Sequence, residues 1–414
     1  MKLSALTLAL SASLLSPLAH ADIPIDVIGD SEVSFEGLVQ ADGNWFHNDV
    51  QDLNGTTGNN GADSEFGIRR AELVLRGKGP GNFDWVLGYD ASTLREAAAN
   101  GTTVRSTGKF LDTNIKYRIG GNANHFVQLG QFKQPNSLEE LSSTKNNDFI
   151  SKAAVTNTYA VARRLGAAYS IGDNNWSITG SGFTRELTRN LAHGEGYGVR
   201  GTWAPINESA NILHFGLSYV DYDTDTDTLR LRARPDADLA STRLVDSGNL
   251  TDSDRIHVLG AEAMWVSGPF KTQGEYYAAR DKRSQADHDD YDSNGWYLSE
   301  VWNLTGESWG YKAGVPTTPL PNAPATGMWQ LAMRYDYIDL DDGHVTNTGG
   351  RPQVDGVLGG DMGIWTAGVN CYWHSNFKFA LNYSLVDSKH YSTSTGTFVK
   401  DDPKIVSARV QFYW

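Results

Sequence analysis

The chain has 414 residues, a formal charge of -14, 43 glycines, 12 tryptophans, 18 tyrosines, 15 phenylalanines and a single cysteine. One thiol excludes an internal disulfide scaffold, and no stretch approaches the 18 or more apolar residues of a helical membrane span. The acidic balance argues against nucleic acid as a partner, but net charge describes solubility and the outer field, not the lining of a pore.

The first residues, Met-Lys-Leu-Ser, lead into an apolar run from Leu6 to Leu18 and then Ala19-His20-Ala21. A charged start, a short apolar core and an A-x-A site predict an export signal removed after Ala21, leaving 22–414 as one domain. From Phe66 onward, stretches of about ten residues alternate apolar and polar. Ala71, Leu73 and Leu75 oppose Arg70, Glu72, Val74 and Arg76. Phe83, Trp85, Leu87 and Tyr89 follow, then Leu111, Ile115, Tyr117 and Ile119, then Phe215, Leu217 and Tyr219, and Trp329, Leu331 and Met333. Period two is the signature of strands with one apolar face.

A soluble sandwich would alternate too. Charges in the middle of the polar faces and aromatics at strand ends favour a membrane barrel with a wet lumen and interfacial girdles. At roughly 24 residues per strand with its connection, the chain downstream of the signal gives about sixteen antiparallel strands. Short connections, Gly79–Asn82 and Trp373–Asn376, read as periplasmic turns. Longer polar stretches, near Asp49–Asp63, Asn136–Ala162, Asp221–Asp254, Asp281–Asn294 and Trp309–Ala325, read as external or inward-folded loops. The last stretch, Ile405–Trp414, alternates up to a terminal aromatic, as a closing barrel strand does.

The functional candidates are cations. Arg230, Arg232 and Arg234 sit at every second position; extended chain would put them on one side, roughly 6.5 to 7 Å apart. Three permanent charges in a row are costly to bury unpaired, and guanidinium binds phosphate bidentately. Taken alone, the run also suits a solvated loop or a patch for lipopolysaccharide phosphates. Arg243 and Arg255 follow in the same segment, Arg69 and Arg70 stand in a strand, and Lys133 is a further inward candidate. If Arg70 faces the lumen, Arg69 would face lipid in a regular strand, so it must lie near a strand end or a bulge. No G-x-S-x-G or H-E-x-x-H occurs, and the Asp221–Asp227 alternation lacks a calcium loop's glycine and terminal glutamate. No catalytic residue, metal or cofactor is expected.

Gly130-Gln-Phe-Lys-Gln-Pro-Asn-Ser-Leu-Glu-Glu-Leu141 resembles the phosphate- and polyphosphate-selective porin family, and so do Arg69-Arg70-Ala71, Arg163-Arg164-Leu165-Gly166, Arg243–Asp246, Gly295-Trp296-Tyr297 and Arg409–Phe412. The resemblance implies a sixteen-stranded, trimeric outer-membrane barrel passing inorganic phosphate or polyphosphate. It implies an arginine ladder of Arg230, Arg232, Arg234, Arg243 and Arg255, a constriction pair of Arg69 and Arg70, and Lys133 and Asp112 near the binding zone. Glu72 stands where an aromatic is expected and would weaken selectivity at close range. The alternatives are a general diffusion porin with weak anion preference, a barrel lipase or protease, and a lipopolysaccharide-binding adhesin.

Overall fold

The computed structural model describes residues 23–28, 30–55, 63–92, 95–97, 103–105, 108–188, 194–348 and 351–414. The expected signal, 1–21, lies outside them. The alternating stretches form sixteen strands in one ring. These are β1 (Ser31–His47), β2 (Ser64–Lys78), β3 (Phe83–Asp90), β4 (Lys109–Arg118), β5 (Phe126–Lys133) and β6 (Arg163–Gly172). Then come β7 (Trp176–Phe183), β8 (Gly196–Glu208), β9 (Asn211–Asp223), β10 (Ser253–Ser267) and β11 (Phe270–Arg283). The wall ends with β12 (Tyr291–Asn303), β13 (Met328–Thr348), β14 (Arg351–Trp373), β15 (Phe377–Ser392) and β16 (Lys404–Tyr413). Each strand pairs antiparallel with its neighbours, and β16 closes on β1 from Leu38↔Tyr413 to His47↔Lys404. Closure removes every open edge, which lipid requires because nothing there can pair a free N–H or C=O.

The outward face is the apolar one. Leu73, Leu87, Ile115, Leu217, Leu259, Leu331 and Leu381 are all exposed, Leu217 by 66%. Aromatics pair at the ends of this band: Trp45 with Phe66 (5.2 Å) at one end, Phe270 with Trp302 (5.5 Å) and Phe377 with Phe412 (5.0 Å) at the other. Apolar side chains turned outward in such a belt are stable only against hydrocarbon.

One expectation needs correction. The inward face is not polar throughout. At the long-loop end, Val220, Ile256, Val258, Ile338 and Ile364 point inward and are buried. They are dry because two long connections fold into the bore and cover them. The first, residues 134–162, carries α1 (Leu138–Leu141) and α2 (Ala154–Tyr159). The second, residues 224–252, buries Leu229, Leu231, Ala233, Leu244 and Val245 against the same wall. A third segment, 304–327, leaves the end where the short turns lie and also turns inward. Trp309 there is buried, Tyr311 Oη meets His214 Nδ1 at 2.7 Å, and Arg200 donates to the Gly314 carbonyl at 2.8 Å.

Arg334 of β13 ties both long loops to the wall. Its side chain is 1% exposed. It meets Glu139 Oε1 at 3.3 Å and the Ser151 carbonyl at 3.1 Å from the first loop, and Asp236 from the second. Phe149 lies 4.5 Å away on one guanidinium face, and Asp336 of the same strand 3.3 Å from Nε. From the far wall, Glu275 accepts from the amides of Leu138 (2.8 Å) and Glu139 (2.7 Å), holding the start of α1. Removing a partner from a buried charge network costs roughly 3–5 kcal/mol, because the remaining charges are left uncompensated. Arg334→Met is therefore expected to loosen both loops. Single-channel conductance should rise by about twofold or more, and the folded barrel should melt at lower temperature. Unchanged conductance would show that the loops stay in place without it.

Candidate functional site

The passage runs along the β1–β6 side of the barrel, opposite the filled half. Two irregularities in the wall build it. Between β1 and β2 the register slips: Gln40 pairs with Arg70 and Ala41 with Ile68, leaving Arg69 as an extra residue. That bulge turns both Arg69 and Arg70 inward, as the cost of a lipid-facing arginine demands. Between β3 and β4, Leu87 pairs with Thr113 and Tyr89 with Phe110, so Leu111 and Asp112 together face the single residue Gly88. Gly130 on β5 supports this second bulge. It holds φ +120°, and a Cβ there would sit 2.4 Å from the Thr113 carbonyl. Gln131, next along, donates to the carbonyls of Phe110 (2.8 Å) and Leu111 (2.7 Å).

The cations that these devices bring inside are tied to carboxylates. Arg69 Nε donates to Asp238 Oδ2 at 2.7 Å, a residue of the second inward loop. Arg70 Nη1 donates to Glu72 Oε1 at 2.8 Å, and Arg69 and Arg163 are close enough to act on its charge. Arg163 Nε donates to Asp112 Oδ1 at 2.9 Å. Lys133 Nζ lies against the Glu140 carbonyl and 3.6 Å from its carboxylate, which Lys152 also contacts. Burial pushes the Glu140 carboxyl up, but Lys152 and Lys133 outweigh it and hold the group below the ordinary carboxylate range. Asp238 behaves alike: burial opposes ionisation, and Arg69, aided by Arg409 and Arg234, overcomes it.

The 230–234 run keeps its alternation inside the barrel mouth. Leu229, Leu231 and Ala233 are buried, while Arg230, Arg232 and Arg234 take the opposite, half-buried face. Arg230 forms a fork with Asp246 (2.7 and 2.6 Å), and Arg232 pairs through its backbone with the same Asp246. Arg234 Nε donates to the Ala240 carbonyl at 2.6 Å. Arg243 lies in the same loop. Arg255 does not join them. Along β10 the inward residues are Ile256, Val258 and Glu262, so Arg255 shares the outward face of Leu259 and Trp265 at the long-loop rim, bound to Asp221. It is a wall residue, and the strand's parity fixes that.

Toward the short-turn end the passage widens into a cavity of about 720 Å³. Six basic side chains line it (Arg76, Lys78, Lys133, Lys145, Arg163 and Lys312) against three carboxylates, Glu36, Glu72 and Asp112. Glu36 is shared between Arg76 and Lys145, the latter at 3.0 Å. Lys78 and Lys312 form no ion pair among the described residues. Lys145 and Lys312 carried no sequence signal, because inward-folded connections bring them here rather than a strand. Arg334 and Arg409 were visible as polar positions in alternating strands, but their partners, Asp236 and Asp42 (2.6 and 2.7 Å from Arg409), are far away in sequence.

A closed barrel with a lipid-facing belt, narrowed by inward loops and lined by more bases than acids, is an outer-membrane porin. Residues 39–414 match the family described as phosphate-selective porin O and P, and the chain belongs to it. It is similar to Porin O of Pseudomonas aeruginosa, 26% identical over 93% of this chain and 92% of that one. An uncharacterized protein of Caulobacter vibrioides is 28% identical over 67% of this chain, and the match spans only 56% of that protein's length. The fold resembles that of OmpT from Vibrio cholerae in its trimer form (TM-score 0.55, 9% identity, 93% of this chain and 99% of that one). It also resembles an anion-selective porin from Comamonas acidovorans (TM-score 0.53, 11% identity, 93% and 100%).

Glu72 is the carboxylate bound to Arg70, at 2.8 Å, so its charge offsets Arg70 directly. Glu72→Gln is expected to raise the anion-to-cation permeability ratio by about twofold or more, read from the reversal potential in a salt gradient. An unmoved reversal potential would mean that Glu72 does not modify selectivity.

Proposed function

We propose that the chain is a passive, anion-preferring porin for phosphate or polyphosphate, assembling as a homotrimer. The observation that carries this reading is the twofold excess of basic over acidic side chains lining the cavity of about 720 Å³; in this reading Arg69 and Arg70 hold the narrow zone above it. An anion entering the mouth meets the Arg230–Arg234 face, exchanges hydration water for successive guanidinium and ammonium donors, and moves from one to the next. Binding at each step must be firm enough to replace water and loose enough to release. The ion pairs already present serve this: a guanidinium shared with Asp246, Glu72 or Asp112 holds a passing phosphate less tightly than a bare one would.

Membership of a phosphate-selective family supports the substrate class, and the solved trimer of the Vibrio protein supports the assembly. Burial of Leu229, Leu231 and Ala233 inside the mouth favours a lumenal role for the arginine run over a surface clamp for lipopolysaccharide. A second reading, a broader diffusion porin with weak anion preference, draws on the Arg70–Glu72 contact. The two differ in whether phosphate at millimolar concentration blocks chloride current; block is expected. Arg70→Ala should lower the anion permeability ratio severalfold without closing the pore. A variant with the parental reversal potential would remove Arg70 from the selective zone.

A further inference from the structure

The cavity toward the short-turn end is not lined as a conduit for bare phosphate would be. Between its cations stand the half-buried aliphatic side chains of Val74 and Val86 on the wall, backed by the buried Leu38 and Leu111. Val315 and Leu320 of the 304–327 segment line the same cavity. Inorganic phosphate and polyphosphate are hydrophilic on every side and gain nothing from such surfaces. Aliphatic groups beside a path for hydrated ions only hinder them. An ion carrying an apolar body gains from both, since its charged end finds a donor while its body leaves water. A volume of about 720 Å³ lies within the usual range of sites for small organic ligands, roughly 300–1,000 Å³, and such sites pair apolar walls with a few placed charges. The uncommitted cations Lys78 and Lys312 are available to the head group.

We propose that this chamber is a subsite for phosphate monoesters of compact apolar alcohols or phenols, with the aliphatic wall holding the organic body. The proposal rests on the anion-preferring reading above and adds to it the class of ligand retained inside.

The test uses the purified protein in planar bilayers, with phenyl phosphate and inorganic phosphate as blockers of chloride current. Phenyl phosphate is expected to half-block at a concentration roughly tenfold lower than inorganic phosphate, with phenol alone ineffective. In a Val74→Ser/Val86→Ser variant the ratio of the two half-blocking concentrations should fall toward one. Val315→Ser, on the opposite side, supplies a second variant should the first fail to assemble. Equal potency of the two phosphates, a ratio that survives both variants, or block by phenol alone would overturn the proposal. Block by neither phosphate would instead overturn the phosphate reading itself.

Discussion

The arrangement of this barrel turns on one buried guanidinium. Arg334 is almost wholly out of water, and a charge so placed is tolerable only with opposite charges and acceptors close around it. The wall offers Asp336; the remaining partners come from Glu139, Ser151 and Asp236, on two loops distant in sequence. The loops are therefore required inside the barrel by the same residue that they neutralise. Glu139 shows the strain of this position from the other side. Burial drives its carboxyl above the usual range, and Arg334 only partly offsets that. Once the loops are inside, their leucines and the valines and isoleucines of β9–β14 cover one another, and the open path is displaced toward β1–β6.

Strict alternation gives each strand one inward side chain in two. That density is enough for a wall and too sparse for a tight ring of charge. The bulges at Arg69 and at Leu111-Asp112 answer this by placing two successive residues on the same side. They sit on neighbouring stretches of wall, and their side chains meet groups from the inward loops: Asp238 for Arg69, and Arg163, where the first loop rejoins the wall, for Asp112. The clustering of charge on this part of the wall depends on departures from sheet regularity, and the one at Arg69-Arg70 is recorded in the sequence as two adjacent polar residues where alternation expects an apolar one.

That marks how much was legible in advance. The ring of strands, the outward belt, the short turns at Gly79–Asn82 and Trp373–Asn376 and the closing strand follow from period two and turn residues, both local. The cost of a lipid-facing arginine narrows Arg69 to a strand end or a bulge, and the structure has the bulge. The inward apolar surface was not, because Val220 or Ile338 carries the same symbol whether it meets lipid or a loop. Arg255 enters the ladder only through the family resemblance, which carries no strand phase; the parity of β10 puts it on the outward face, bound to Asp221. The pairings of Arg334 with Asp236 and of Arg69 with Asp238 are contacts between distant segments, and no local pattern encodes them.

An acidic chain can nonetheless hold a basic bore, because its acids are not evenly placed. Some sit beside the lumenal cations and temper them, as Glu36, Glu72 and Asp112 do. Many others, including Asp227, Asp254, Asp287, Asp289, Asp290 and Asp292, are exposed at the long-loop ends of β9–β12. In ring order that is across the barrel from the β1–β6 passage. At physiological salt, solvent-exposed charges are screened over about 8 Å, whereas charges inside a narrow, partly dehydrated bore are screened far less. An anion near the passage therefore responds chiefly to Lys145, Arg163, Arg70 and their neighbours and only weakly to the acidic rim. The net charge of the whole chain and the sign of the field that a permeating ion meets are separate quantities in this protein.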